Sequence, residues 1–383
     1  MNSTTMWRAI RSGLAPAAAI AILGLSSAAV SGQGPFGATL TPSELRSVPA
    51  ETTAAKVADP NWKAPRTPWG HPDLQGVWTS DDMRGVPMSR PADQTDRESL
   101  TPEEFARRAG RDEASRDRAV NQETILRNEF GVRTFGYTSF VVDPPDGQVP
   151  DLTPAGIARR NATLGVGTFG TGPFNDFDDF TLYDRCITRG VSGVMPVLYG
   201  NGIQIVQSPS EVAISYEMVH DTRIIPLDGR PALGSGIRQY MGDGRGRWEG
   251  DTLVVETSNF TDRTNAFAGP HSENLTLTER FTRIDPDMID YRITVEDPAT
   301  FTAPFTLRLT ITEQPGYAMY EYSCHEGNGA VKYALSADRE WDRKVAEARA
   351  NGLPPPPRNM GMEVYSGAPT EGREPVRVFG GGK

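Results

Sequence analysis

The sequence predicts a mainly β protein, an antiparallel β-barrel-like domain with a few peripheral helices, and three observations carry that expectation. The 383 residues include 39 Gly and 31 Pro, a composition that suits many short strands joined by turns better than a helical bundle. Between Gly202 and Tyr322, apolar and polar residues alternate in short runs separated by turn sequences such as Asp228-Gly229 and Glu249-Gly250-Asp251. Alternation of that period places one face of each strand in a core, and Gly supplies the positive φ of the turns without steric cost. The length left after the tails also falls near the range of about 200 to 250 residues that β barrels and sandwiches fill as one unit. A single domain over 67–350 is therefore expected.

Taken in order, the chain opens with Arg8 and Arg11 before an apolar run from Leu14 to Val30 that ends at Ala29-Val30-Ser31. The run is short for a bilayer span, and small residues occupy both recognised cleavage positions. Residues 1–32 thus read as a secretory signal peptide cut near Ser31 or Gly32, which implies a secreted or periplasmic protein with no membrane span in the mature chain. The Pro-, Ala- and Thr-rich stretch 33–66 reads as a flexible N-terminal arm. A short strand is expected within Asp73–Thr79. Thr101-Pro102-Glu103-Glu104 is a capping box with Pro at the first helical position, opening a charged, solvated helix toward Val120. Thr153-Pro154 opens a second helix, and the two make a helical insert near 101–162. Strands follow at 203–207, 212–217, 222–226, 253–258, 275–281, 289–295, 305–311 and 317–322, eight runs, enough to close a barrel. A helix from Ser336 to Ala350 ends at Asn351-Gly352, and 351–383 form a Pro/Gly-rich tail.

Charge and motif spacing narrow the chemistry. With 39 basic against 49 acidic side chains the net charge is −10, which argues against a nucleic-acid partner. Cys186 and Cys324 are the only cysteines, and in an oxidising compartment they predict a disulfide. The competing reading, a nucleophilic Cys324 beside His325, is weakened because neighbours in extended chain point to opposite faces. The four histidines, His71, His220, His271 and His325, lack zinc-motif spacing, and Asp176, Asp178, Asp179 and Asp184 lack a calcium-loop pattern. No metal and no cofactor is expected.

Two groups of residues remain as site candidates. His220 lies three residues after Glu217 and three before Arg223 at a predicted turn, and His325-Glu326 follow the last predicted strand. Should those ends share a rim, a base, an acid and an anion clamp converge there; otherwise Glu217, His220 and Arg223 satisfy one another and their hairpin. Asp221 and Arg223 can also form a plain surface ion pair. Glu279 alternates with Leu275, Leu277 and Phe281, so its carboxylate falls on the apolar face and needs a partner or a ligand. Arg292 on the following strand is its cross-strand candidate. Tyr216, Tyr291, Tyr320, Tyr322 and Trp78 supply the amphipathic surface that lines small-molecule pockets.

The segments Pro72–Thr79, Val141–Gly147, His220–Pro231, Gly246–Thr257 and Cys324–Asn328 carry PDLQGVWT, VVDPPDG, HDTRIIPLDGRP, GRWEGDTLVVET and CHEGN. In this combination the chain resembles a group of uncharacterised exported bacterial proteins, which implies export and a shared architecture. Gly76-x-Trp78 is also similar to the lipocalin and calycin signature, which implies a calycin-like barrel. The leading functional expectation is binding of a small organic molecule in the barrel cavity. One alternative is a metal-independent hydrolase or lyase, with His220 as base, Glu217 or Glu326 as its partner or acid, and Arg223 holding an anionic group. Another is an envelope interaction module acting through its sheet face and Pro-rich tails, with protein partners left open.

Overall fold

The computed structural model describes residues 51–53, 62–94, 97–121, 131–163, 172–197, 199–314 and 317–357. The expected signal peptide and its cleavage point, most of the arm, and 358–383 of the tail lie outside them. The strands are β1 (Glu51–Thr53), β2 (Gly76–Thr79), β3 (Arg133–Phe135), β4 (Val141–Asp143), β5 (Gly202–Gln207), β6 (Glu211–Tyr216), β7 (Thr222–Pro226), β8 (Asp243–Glu249), β9 (Thr252–Ser258), β10 (Thr276–Asp285), β11 (Met288–Glu296) and β12 (Phe305–Thr312). The helices are α1 (Pro102–Asn121), α2 (Pro154–Thr163) and α3 (Ala330–Ala350). Ten strands form one sheet in the order β7-β6-β5-β2-β12-β11-β10-β9-β8, with β4 added against β12. Within the arm, β1 pairs in parallel with β3.

Alternation builds the core. Leu277, Glu279 and Phe281 of β10 face inward with Tyr291, Ile293 and Val295 of β11 and Phe305, Leu307, Leu309 and Ile311 of β12. Phe281 lies opposite Tyr291 in the ladder, and their rings stack at 4.2 Å. Each of the apolar side chains in this set contributes about 1.5 to 3 kcal/mol by leaving water. Trp78 is fully buried, donates Nε1–H to the Leu74 carbonyl at 2.9 Å, and carries the Arg283 guanidinium 5.2 Å from its ring. Gly76 permits this: its φ is +146°, and a Cβ there would sit 3.3 Å from the Trp78 Nε1.

The hydrogen-bonded ladder is open between β7 and β8 among the described residues. Those two edges nevertheless meet through side chains, because a Cβ on Gly246 would come 2.8 Å from Ile225 Cγ2 and 2.7 Å from Leu227 Cδ2. Only a glycine in β8 allows that approach. This strand is absent from the sequence expectation, because two glycines alternating with arginines weaken the β signal. The expected turn at Glu249-Gly250-Asp251 is present and joins β8 to β9, with Gly250 at a φ of +61°.

The predicted strand at 317–322 is not a strand. Its backbone needs are met elsewhere: Tyr317 N–H donates to the Gln314 carbonyl at 3.1 Å and Tyr320 N–H to the Glu217 carboxylate at 2.8 Å. At the start of α1 the capping box is formed, with Thr101 N–H on Glu104 Oε2 at 2.8 Å and Glu104 N–H on Thr101 Oγ1 at 3.3 Å. Helix α3 begins at Ala330, ahead of the expected Ser336, and stops where Gly352 takes a φ of +68°. Among the described residues no helix is long and apolar enough to cross a membrane.

Candidate functional site

Glu279 is fully buried, and its partner comes from the far end of the sheet order. Arg223 on β7 donates Nη1–H to Oε1 at 2.8 Å and Nη2–H to Oε2, while Tyr291 Oη–H donates to Oε1 at 2.6 Å and Thr257 Oγ1–H to Oε2 at 3.2 Å. Burial raises the carboxyl pKa, but the Arg223 charge and these hydrogen bonds outweigh it and hold Glu279 below the ordinary carboxylate value. Arg292, the sequence candidate, faces outward on Asp290 at 2.9 Å. Tyr216 closes the group, its hydroxyl 3.4 Å from Arg223 Nη1. Glu279, Tyr216 and Tyr291 are therefore brought together as one interior network, in which the carboxylate spends its acceptor capacity on the protein itself.

Glu217, His220 and Arg223 diverge. Glu217 is buried and accepts from Gly202 N–H at 3.1 Å, from Tyr320 N–H and from the Tyr317 hydroxyl. His220 is exposed, and Arg223 points into the interior. Asp221 is not an ion partner of Arg223; its carboxylate takes hydrogen bonds from the Thr188 side chain and the Arg189 backbone N–H. His325 and Glu326 are exposed in the turn after Cys324, and Tyr320 is half-exposed.

A different cluster forms around the disulfide. Cys186 and Cys324 are bonded with their Cα atoms 5.7 Å apart. Asn328 Nδ2–H donates to the Asp184 carbonyl at 3.0 Å and lies 3.2 Å from Cys186 Sγ. The loop holding Tyr183 and Arg189 is thereby fixed against the segment Tyr317–Asn328. The Tyr183 and Tyr322 hydroxyls hydrogen-bond at 3.0 Å, Tyr199 stacks on Tyr322 at 6.1 Å, and Arg189 Cζ lies 5.8 Å from the Tyr183 ring centre. All four side chains are half-buried.

The electrostatics of this cluster are unusual for the molecule. Burial lowers the Arg189 pKa, and the ionisable groups that act on it are the phenols of Tyr183, Tyr322 and Tyr199. Burial and the Tyr322 contact push the Tyr183 hydroxyl well above its ordinary value. Burial also raises Asp221, whose Oδ2 has no hydrogen-bond partner among the described residues. The backbone is strained nearby: Cys186, Val219 and His220 adopt φ of 57°, 71° and 61°. For a β-branched residue such as Val219 that conformation costs about 1 to 3 kcal/mol. The cluster thus offers aromatic faces, hydroxyls and a guanidinium, which are the means of holding a ligand.

Of the sequence-predicted residues, only Tyr322 and the two cysteines belong to this cluster. Tyr183, Tyr199 and Arg189 were missed because their segment shows no periodicity, although the disulfide itself was the available signal: whatever flanks Cys186 must lie beside whatever flanks Cys324. The acidic residues near it are spent locally, Asp178 on Arg185 at 3.1 Å and Arg263 at 2.9 Å, and no group of three metal-ligating side chains occurs among the described residues. Compared with protein-family models, with curated proteins and with solved structures, the chain matches none.

Proposed function

We propose that the chain is an exported, calycin-like β-barrel protein that binds a small organic molecule, and that the contact surface is the tyrosine-lined end tied by the disulfide rather than the barrel interior. The observation that carries this reading is the convergence of Tyr183, Tyr199 and Tyr322 from three separate segments into one half-exposed cluster. Tyrosines present flat apolar area with a hydrogen-bonding rim and lose little conformational freedom on binding. A fixed frame adds to this, because a preorganised site has less ordering to do when a ligand arrives. The saturated network around Glu279 supports placing the ligand outside the interior. Contact between β7 and β8 at Gly246 supports barrel closure, and the disulfide supports a secreted or periplasmic location.

Mass spectrometry of small molecules retained by natively purified protein tests the reading. Wild-type protein is expected to carry one or more organic molecules that Tyr322→Ala protein, folded by circular dichroism, has lost. Equal retention by both, or none by either together with no binding of aromatic fragments, ends it.

A further inference from the structure

Resting on that reading, we propose that the ligand is an organic anion, a carboxylate carried on a planar ring, with the carboxylate held by the Arg189 guanidinium. Several buried and half-buried arginines elsewhere meet a carboxylate, and Arg159 and Arg283, which do not, are held by hydroxyl or carbonyl oxygens. Arg223 lies on Glu279, Arg133 on Asp287, Arg245 on Asp243 and Arg308 on Asp290. Arg108 donates to the Phe135 and Tyr137 carbonyls and feels the Asp112 charge. Arg189 has no carboxylate partner and no side-chain hydrogen bond among the described residues, and Asp221 engages its backbone N–H instead. Burial and the Tyr322 contact raise the Tyr183 pKa, so that phenol brings no negative charge to the guanidinium. The Arg189 charge is left partly desolvated with neither a counter-ion nor a side-chain hydrogen bond, which is costly.

The surroundings specify the rest of the ligand. A guanidinium presents a planar fork that matches a carboxylate with two parallel hydrogen bonds. Tyr183 and Tyr322 share one hydrogen bond, so of their two hydroxyl protons one is not used within the pair and is available to an anion. The stacked rings of Tyr199 and Tyr322 offer a flat face suited to an aromatic or otherwise planar body. A small inorganic anion would satisfy the charge and leave that face unused.

Isothermal titration calorimetry with benzoate, benzamide and acetate separates the contributions, since the first two share shape and differ in charge. Benzoate is expected to bind in the millimolar range fitting so small a fragment. Benzamide and acetate should bind about ten- to a hundredfold more weakly, the loss that follows removal of a charge-assisted pair or of the ring contact. Arg189→Met should abolish the preference for benzoate over benzamide, and Arg189→Lys should restore part of it. Benzamide binding as well as benzoate overturns the inference and leaves small-molecule binding standing. So does acetate matching benzoate. Failure of all three probes, with nothing retained by the purified protein, removes the inference and the underlying reading together.

Discussion

Glu279→Gln keeps the shape of the interior side chain and deletes its charge, leaving the Arg223 guanidinium, with 4% of its side chain exposed, facing a carboxamide. The hydrogen bond from Tyr291 can persist on the amide oxygen, whereas both Arg223 contacts lose their ionic partner. Hydrogen bonds to charged groups are worth about 1.5 to 3 kcal/mol each, and breaking a buried pair from one side typically costs about 3 to 5 kcal/mol. In a domain of this size each kcal/mol lowers the Tm by about 2 to 4 °C, so the variant should melt about 6 to 20 °C below wild type at pH 7. The double variant Arg223→Met with Glu279→Leu removes both charges and should recover most of that loss. Paired urea titrations and calorimetric melts measure both. Linkage fixes a further sign: because the folded-state pKa of Glu279 lies below its unfolded value of 4.5, its contribution is fully present above that pH. It is lost as the pH falls through the folded-state value. A loss under about 1 kcal/mol for Glu279→Gln, or a double variant no more stable than the single one, would refute the argument that the charge pair, and not packing, governs this site.

Three other perturbations have definite outcomes. Asp81 is buried, and desolvation raises its pKa to about 6 against the hydrogen bonds of Thr79 and Asn201 and the Arg84 charge. The folded state therefore holds a proton that the unfolded state releases near pH 4, and stability should fall by about 2 kcal/mol as the pH rises from 4 to 6. Urea midpoints across that window should lose this slope in Asp81→Asn. Cys186→Ser with Cys324→Ser opens a loop of 138 residues; melts should drop by the equivalent of about 4 to 5 kcal/mol in the chain-entropy view, matched by reductant on wild type. Gly246→Ala places a Cβ under 3 Å from Ile225 and Leu227 and should cost about 1 to 3 kcal/mol in urea titrations by overpacking the β7–β8 contact.

The sheet was legible where one face of a strand is buried along its length, because alternation then follows from the pleat itself. That holds for β5 to β7 and β9 to β12. It fails for β8, whose glycines exist for a contact made with a strand far along the chain, and for 317–322, where aromatic residues of high β propensity extend without a partner strand. At Glu279 the pattern revealed the burial but not the partner. Cross-strand pairing sets Glu279 opposite Ile293 and Arg292 opposite Arg280, so Arg292 falls on the outer face by one register step. The true partner, Arg223, arrives from the other end of the sheet order, and no local periodicity encodes that approach. Similarly, the turn at His220 was legible as a turn, whereas the left-handed backbone of Val219 and His220 that sends Glu217 and Asp221 to different neighbours was not.

Arg223 and Arg189 are the same side chain under opposite terms, and the contrast supports the anion site proposed at Arg189. Inside the sheet, Arg223 meets Glu279, Thr257 and Tyr216, so little there remains for a ligand to satisfy. At the disulfide-tied end, Arg189 meets only phenols, Asp221 keeps an unpartnered oxygen, and three of the five non-glycine residues with positive φ among the described residues lie on the surrounding loops. Strain and unmatched charge both oppose folding, and neither persists unless the surrounding structure over-determines it. Two independent ties do so here: the Cys186–Cys324 bond, and Glu217, whose carboxylate fastens the start of β5 to Tyr317 and Tyr320. A packing accident would have no need of both. Holding an uncompensated cation beside a fixed aromatic face is the arrangement that a bound anion completes, since the ligand then supplies the missing charge while the protein has already borne the ordering entropy.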